Sequence, residues 1–179
     1  MFNSGRARPE RGIMQEMNPR EAAEQARFQS AMQASIDRLH ETARGTVGDS
    51  LSFRLIDCSA KERAYTLRAS TAEWMRNVNH TLHGGMCAAV LDQAMGFAAY
   101  CAMPAPGIAP TIQLQVNYLR AIPVGEDVNV RMRVVSATKH LIHITAEAWT
   151  GENEGRTCLT ASATYFFRAA DAAAPTRTD

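Results

Sequence analysis

The succession of periodicities along the chain predicts an α+β fold, an antiparallel sheet of about six strands wrapped around one long apolar helix. Three observations carry this expectation. Residues 84–103 are almost wholly apolar, with Asp92 as the only charge and no proline before Pro104, and their Ala, Leu and Met content favours helix over strand. Two β-patterned runs precede this stretch, and further β runs separated by turn residues follow it. A helix apolar on every side must be surrounded by protein, so the sheet has to curl over it. A second copy of the chain can cover what remains.

Residues 1–17 have little apolar content and read as a disordered tail. Asn18, Pro19 and Glu21 then form a helix start: a cap, a proline at the first helical position and a glutamate placed to close a capping box. This helix runs to about Ala43 with Phe28, Met32, Ile36 and Leu39 on one stripe, which packs on the domain or on a partner. Gly45 and Gly48 end it, so residues 18–49 are an N-terminal helix and linker. Strands are expected at 51–58 and 64–69, joined by a polar turn. After the central helix, residues 104–107 (PAPG) lead back into the sheet. Residues 111–119 alternate cleanly, with Ile112, Leu114, Val116 and Tyr118 on one face and Thr111, Gln113, Gln115 and Asn117 on the other. Further strands at 128–136, 141–149 and 156–167 complete a meander-like succession. The tail from Arg168 onward reads as frayed.

Composition narrows the function. A net charge of +1 without a long basic run argues against a nucleic-acid surface. The four cysteines, Cys58, Cys87, Cys101 and Cys158, have neither metal nor redox spacing and read as buried free thiols of a reducing compartment. The first residues lack the apolar core of a secretory signal, and Glu10 and Glu16 argue against a transit peptide. A central Asp92, costing about 3 kcal/mol on insertion scales, argues against a membrane span. A cytoplasmic protein is the expectation.

Asp92 is the residue to explain, because a carboxylate in an apolar helix is expensive to bury. Its helical neighbours Gly85, Ala88, Ala89, Gly96 and Ala99 are small and leave room for another backbone or a ligand. On its own it reads first as a structural acid bonded to a neighbouring helix, and only its coincidence with the HGG start and Thr111 reverses that. Gly84 and Gly85 open the helix, where backbone N–H groups lack intrahelical partners and the dipole is positive. Such amides suit an anion developing on a carbonyl oxygen, and they suit close packing as well. His83 reads as an orienting residue, and its spacing with His80 and Asp92 fits no zinc motif. Met86, Met95 and Met103 read as core filler.

Asn77, then Leu82-His83-Gly84-Gly85, then Leu91-Asp92, then Pro110-Thr111 opening a strand that ends Asn117-Tyr118-Leu119-Arg120, resembles the hotdog-fold acyl-CoA thioesterases, the phenylacetate-pathway type in particular. The resemblance spans about residues 50–168, with residues 169–179 as a second tail. It implies a homodimer, often a dimer of dimers and hence a homotetramer, hydrolysing thioesters of coenzyme A without a metal or other cofactor. It puts Asp92 in the place of the catalytic carboxylate, acting as general base or nucleophile. Thr111 falls where a hydroxyl positions water, Asn77 where an amide faces that water or the thioester, and Gly84 where a backbone N–H holds the carbonyl oxygen. In the family, Asn and Gly come from one subunit and Asp and Thr from the other. Substrate contacts map onto His83, Gly85, Gln113, Tyr118, Ser136, Lys139 and His140. Where the family often has Gly, three residues before the histidine, this chain has His80, and a different turn is expected there.

Two other readings compete. A hotdog hydratase needs Asp before His, whereas His83 precedes Asp92 here. A non-catalytic acyl-CoA binder would saturate with coenzyme A esters and release no thiol.

Overall fold

The computed structural model describes residues 17–151 and 156–170, so the expected N-terminal tail before Met17, the tip of the 150–155 loop and the tail beyond Ala170 lie outside the described residues. Helix α1 (Pro19–Thr42) starts as its sequence dictates: the Asn18 side chain accepts from the Arg20 and Glu21 amides, and Glu21 accepts from the Asn18 amide. Its stripe lies against the core, with Met32 and Ile36 fully buried and Phe28 stacked on Tyr65 at 4.0 Å. Gln25 reaches from the same helix to the Cys58 carbonyl and the Ala60 amide, both at 2.8 Å. The linker is more structured than expected. Gly45 turns the chain with φ +77°, and a short helix α2 (Val47–Ser50), capped by Thr46, encloses Gly48.

The main sheet contains β1 (Arg54–Ser59), β2 (Ala64–Ala69), β4 (Thr111–Tyr118), β5 (Val128–Ala137), β6 (Leu141–Thr150) and β7 (Leu159–Phe166). Strand β1 begins later than 51 because Leu51 and Phe53 serve as buried core residues beside α2 rather than as sheet. The order is β1-β2-β5-β6-β7-β4, antiparallel throughout. This corrects the simple meander. Helix α3 (Gly84–Ala102) carries the chain across the face of the sheet and delivers β4 to the far edge, and β5 then returns to pair with β2. A second correction concerns the end of β7. Strand β8 (Arg168–Ala169) is not frayed but pairs with β3 (Gly107–Ile108), and a Cβ on Gly107 would sit 2.2 Å from the Arg168 carbonyl oxygen.

Helix α3 is enclosed much as its composition requires. The sheet contributes Val130, Met132, Ile142, Ile144, Ala161 and Ala163 from one side, while α1 packs on another. Phe97 of the helix meets Phe53 edge-on at 5.5 Å. Among the described residues no helix is long and apolar enough to cross a membrane.

Two outcomes follow from these contacts. Asn18→Ala removes both capping bonds to the first turn of α1 and is expected to lower stability by about 1 kcal/mol in urea unfolding. Burial pushes the Cys87 and Cys101 thiols up to about 11, which leaves little thiolate at pH 8. Iodoacetamide is therefore expected to label Cys87 and Cys101 roughly a hundredfold more slowly in the native protein than in the urea-unfolded chain, read by mass spectrometry. Equal rates in the two states would show that these thiols are not buried.

Candidate active site

Thr111 reaches Asp92 through a local irregularity of the sheet. Strict alternation would leave Thr111 on the polar face with Gln113. In the structure Thr111 opposes Tyr165 and Gln113 opposes Thr164, so Ile112 is the extra residue of a β-bulge. The bulge turns Ile112 outward, 58% exposed, and puts Thr111 on the helix-facing side with Leu114, Val116 and Tyr118. The Thr111 hydroxyl then donates to Asp92 Oδ1 at 2.8 Å. This revises the face on which the alternation placed Thr111.

Asp92 itself is half-buried rather than enclosed. It lies on the side of α3 that carries Gly96, where an added Cβ would meet nothing within 4 Å. Its backbone carbonyl accepts a bond from the buried Tyr165 hydroxyl at 3.1 Å. Burial, followed by the neighbouring Asp92 charge, pushes the Tyr165 phenol well above its ordinary range, so it stays protonated and a donor. Tyr165 is a residue that sequence reasoning missed. Its signal was faint: a tyrosine in an otherwise small-residue strand, on the helix-facing parity of β7.

The second cluster surrounds the start of α3. Its approach is a single 3₁₀ turn (Glu73–Met75) and a tight loop organised by Asn77. Asn77 Oδ1 accepts from the Asn79 amide at 2.9 Å and the Thr81 amide at 3.2 Å, while Nδ2 donates to Thr81 Oγ1 at 2.9 Å. One of its two Nδ2 hydrogens remains for another acceptor. His80 sits in this loop at φ +59°, in the left-handed region that favours glycine. His80 adopts the glycine-like conformation, with Nδ1 2.6 Å from Arg76 Nη1. Arg76 in turn pairs with Glu73.

His83 is the N-cap of α3, and its Nδ1 accepts from the Gly85 amide at 2.9 Å. The predicted orienting role is thus directed at the helix itself, and His83 and Gly85 are engaged with each other. Among the described residues the Gly84 N–H has no hydrogen-bond partner. Gly84 borders a cavity of about 280 Å³ with Asn77, Leu82, Cys87, Tyr118 and Arg120. Tyr118 is engaged too, its hydroxyl donating to the Gly84 carbonyl at 3.0 Å.

The remaining predicted contacts lie elsewhere. Gln113 faces the outer side of the sheet, away from Tyr118, and accepts from Thr164 Oγ1 at 3.4 Å. Thr164 also meets His143 Nδ1 at 2.9 Å, and His143 opposes Ser136, so Gln113 and Ser136 end one polar row across four strands. Lys139 and His140 are exposed in the β5–β6 turn. His140 stacks on Phe166 at 6.1 Å, near the Thr111 end of the sheet. The chain therefore gathers Asn77, Gly84 and Tyr118 at one place and Asp92 and Thr111 at another. Along the helix the two are separated by about 12 Å, from Gly84 to Asp92. Among the described residues no three His, Cys, Asp or Glu side chains are placed to hold a metal ion.

Residues 79–157 match the Thioesterase superfamily. No curated protein matches the chain. Among solved structures, a thioesterase family protein from Silicibacter pomeroyi is 25% identical, with 78% of this chain and 99% of that one covered at a TM-score of 0.64. The PaaI protein of the E. coli phenylacetic acid degradation operon superposes with a TM-score of 0.66 at 14% identity, over 79% of this chain and 96% of that one. A Streptococcus mutans protein solved with acetyl CoA gives a TM-score of 0.57 at 17% identity, covering 66% and 90% of the two chains. The segment that resembles the Thioesterase superfamily holds α3 and strands β3 to β6, and with them Gly84, Asp92, Thr111 and Tyr118.

Proposed function

We infer that the protein hydrolyses acyl-CoA thioesters to the free acid and coenzyme A, at a site completed by a second copy of the chain. The observation that carries this reading is the 2.8 Å bond from Thr111 to Asp92, made through the Ile112 bulge. It holds the carboxylate toward the open side of α3 and leaves Oδ2 without a hydrogen-bond partner among the described residues. An acetyl CoA complex of a structurally similar protein is consistent with the substrate class.

The chemistry follows from the groups. Asp92 takes a proton from water as the oxygen attacks the thioester carbonyl, or attacks that carbon directly. Negative charge develops on the carbonyl oxygen, and the Gly84 N–H at the positive end of α3 stabilises it. Collapse of the intermediate breaks the C–S bond, and the sulfur leaves as the thiol with the proton that Asp92 took from water. On the direct route it leaves as thiolate, and water then hydrolyses the Asp92 anhydride to the free acid. Thr111 orients the carboxylate, and the spare Nδ2 hydrogen of Asn77 is available to the water or the thioester.

A single chain holds Gly84 and Asp92 too far apart for one carbonyl to meet both, which favours Asn77 and Gly84 from one subunit working with Asp92 and Thr111 from its partner. Strand β4 lies at the sheet edge beside exposed apolar side chains, Ile112, Tyr118, Leu119 and Phe166. An uncovered edge of this kind is a ready surface for strand pairing. A homodimer, assembled further into a homotetramer, in the cytoplasm fits this reading.

Thiol release from a panel of short, aromatic and long-chain acyl-CoAs tests the activity. Asp92→Asn is expected to lower turnover by more than about a hundredfold while an acyl-CoA still binds. An unchanged rate removes Asp92 from the mechanism. Wild-type protein that binds the whole panel and releases no thiol would establish a binder instead. Gly84→Pro tests the oxyanion donor. Proline is tolerated at the first helical position, and His83 already has the extended backbone, φ −61° and ψ 137°, that a following proline requires. The helix should therefore form without its amide, and turnover should fall about a hundredfold or more. A fully active Gly84→Pro variant would exclude that amide.

A further inference from the structure

The peptide between Gly84 and Gly85 joins two residues with the greatest backbone freedom in the chain, yet it is bonded at both ends. Its N–H donates to His83 Nδ1 at 2.9 Å, and its carbonyl accepts from the Tyr118 hydroxyl at 3.0 Å. The space is tight beside Gly85, and Tyr118 lies in ordinary van der Waals contact beside Gly84. A Cβ on Gly84 would lie 3.6 Å from the Tyr118 ring, and one on Gly85 would lie 3.2 Å from His83 Nδ1. The preceding peptide, which carries the Gly84 N–H, is held through its own carbonyl, as His83 accepts from the Cys87 amide at 2.9 Å.

We propose that His83 and Tyr118 are positioning residues that clamp the Gly84–Gly85 peptide from its two ends and so hold in place the first turn from which the Gly84 N–H projects. This rests on the reading of that amide as the oxyanion donor. Two successive glycines offer the most rotational freedom where an oxyanion donor tolerates least, because preorganisation is the source of its effect. Without the clamp, the 84–85 plane is held only by the carbonyl bonds of the first helical turn, and that turn frays more readily. With it, the plane is tied to the N-cap on one side and to β4 on the other. His83 must present an unprotonated Nδ1 to accept the bond, which specifies the tautomer with its proton on Nε2. The Tyr118 hydroxyl is spent on the Gly84 carbonyl, so its contribution is to the geometry of the helix start rather than to a direct polar contact with coenzyme A.

The test uses the full-length protein and steady-state thiol release on one acyl-CoA, with amide exchange followed on ¹⁵N-glycine-labelled samples. Tyr118→Phe keeps the ring beside Gly84 and removes only the hydrogen bond. It is expected to lower kcat about five- to tenfold at unchanged KM, with the fold intact by circular dichroism. His83→Ala is expected to lower kcat by a similar factor and to speed Gly85 amide exchange. His83→Asn restores a side-chain acceptor at the N-cap and is expected to recover most of both losses. A wild-type kcat in Tyr118→Phe, an effect confined to KM, or a His83→Asn variant as impaired as His83→Ala would overturn the clamp. An active Gly84→Pro variant overturns the underlying reading and the proposal with it. An inactive Gly84→Pro beside a fully active Tyr118→Phe overturns the clamp alone.

Discussion

A hydrogen bond between sheet and helix, from Thr111 to Asp92, is the contact around which the site is arranged. A carboxylate on an otherwise apolar helix loses hydration as the helix packs, and the loss has to be offset by donors held in place. The donor here comes from the first residue of an edge strand, on a face it reaches only because Ile112 bulges out. The bulge has two effects at once. It aims a hydroxyl at the acid, and it leaves an apolar side chain on the outer rim of the sheet.

The start of α3 obeys a related constraint. For the proposed oxyanion role, the Gly84 amide must be free of other partners and still held rigidly, and those demands conflict in a glycine pair. The surrounding loop resolves the conflict with many small bonds. Asn77 closes its own turn, His80 accepts a left-handed backbone, His83 caps the helix and Tyr118 ties the first turn to β4. Strand β4 thereby touches both clusters, Thr111 at its beginning and Tyr118 at its end. The sheet edge, rather than the helix alone, sets the relative placement of the two.

Helix α1 gives the central helix a cover that the sheet does not supply. Its stripe buries Met32 and Ile36 and stacks Phe28 on Tyr65 beside the C-terminal part of α3. The opposite arrangement holds along Asp92 and Gly96, where the helix stays open. Coverage of α3 is therefore uneven: closed against α1 and the sheet, and accessible where the carboxylate lies.

Much of this was legible in the residues themselves. The Asn18 capping box, the apolar run of α3 and the boundaries of β2 follow from local rules, because caps and hydrophobic periodicity depend on residues a few positions apart. The glycine pair Gly84-Gly85 and Asp92 also stood out, since a glycine pair and a lone acid in apolar surroundings are chemically conspicuous, whereas Thr111 was marked only by the resemblance to the thioesterases. What the tertiary structure decided was relation. Alternation alone put Thr111 on the wrong face, because a bulge is stabilised by the partner strand and leaves no period-two signature. The return of β5 to β2, the β3–β8 pair, the Tyr165 bond to the Asp92 carbonyl and the engagement of Tyr118 with Gly84 all join residues far apart in the chain. Such contacts are fixed by packing around α3, and no local pattern of residue types encodes which of them form.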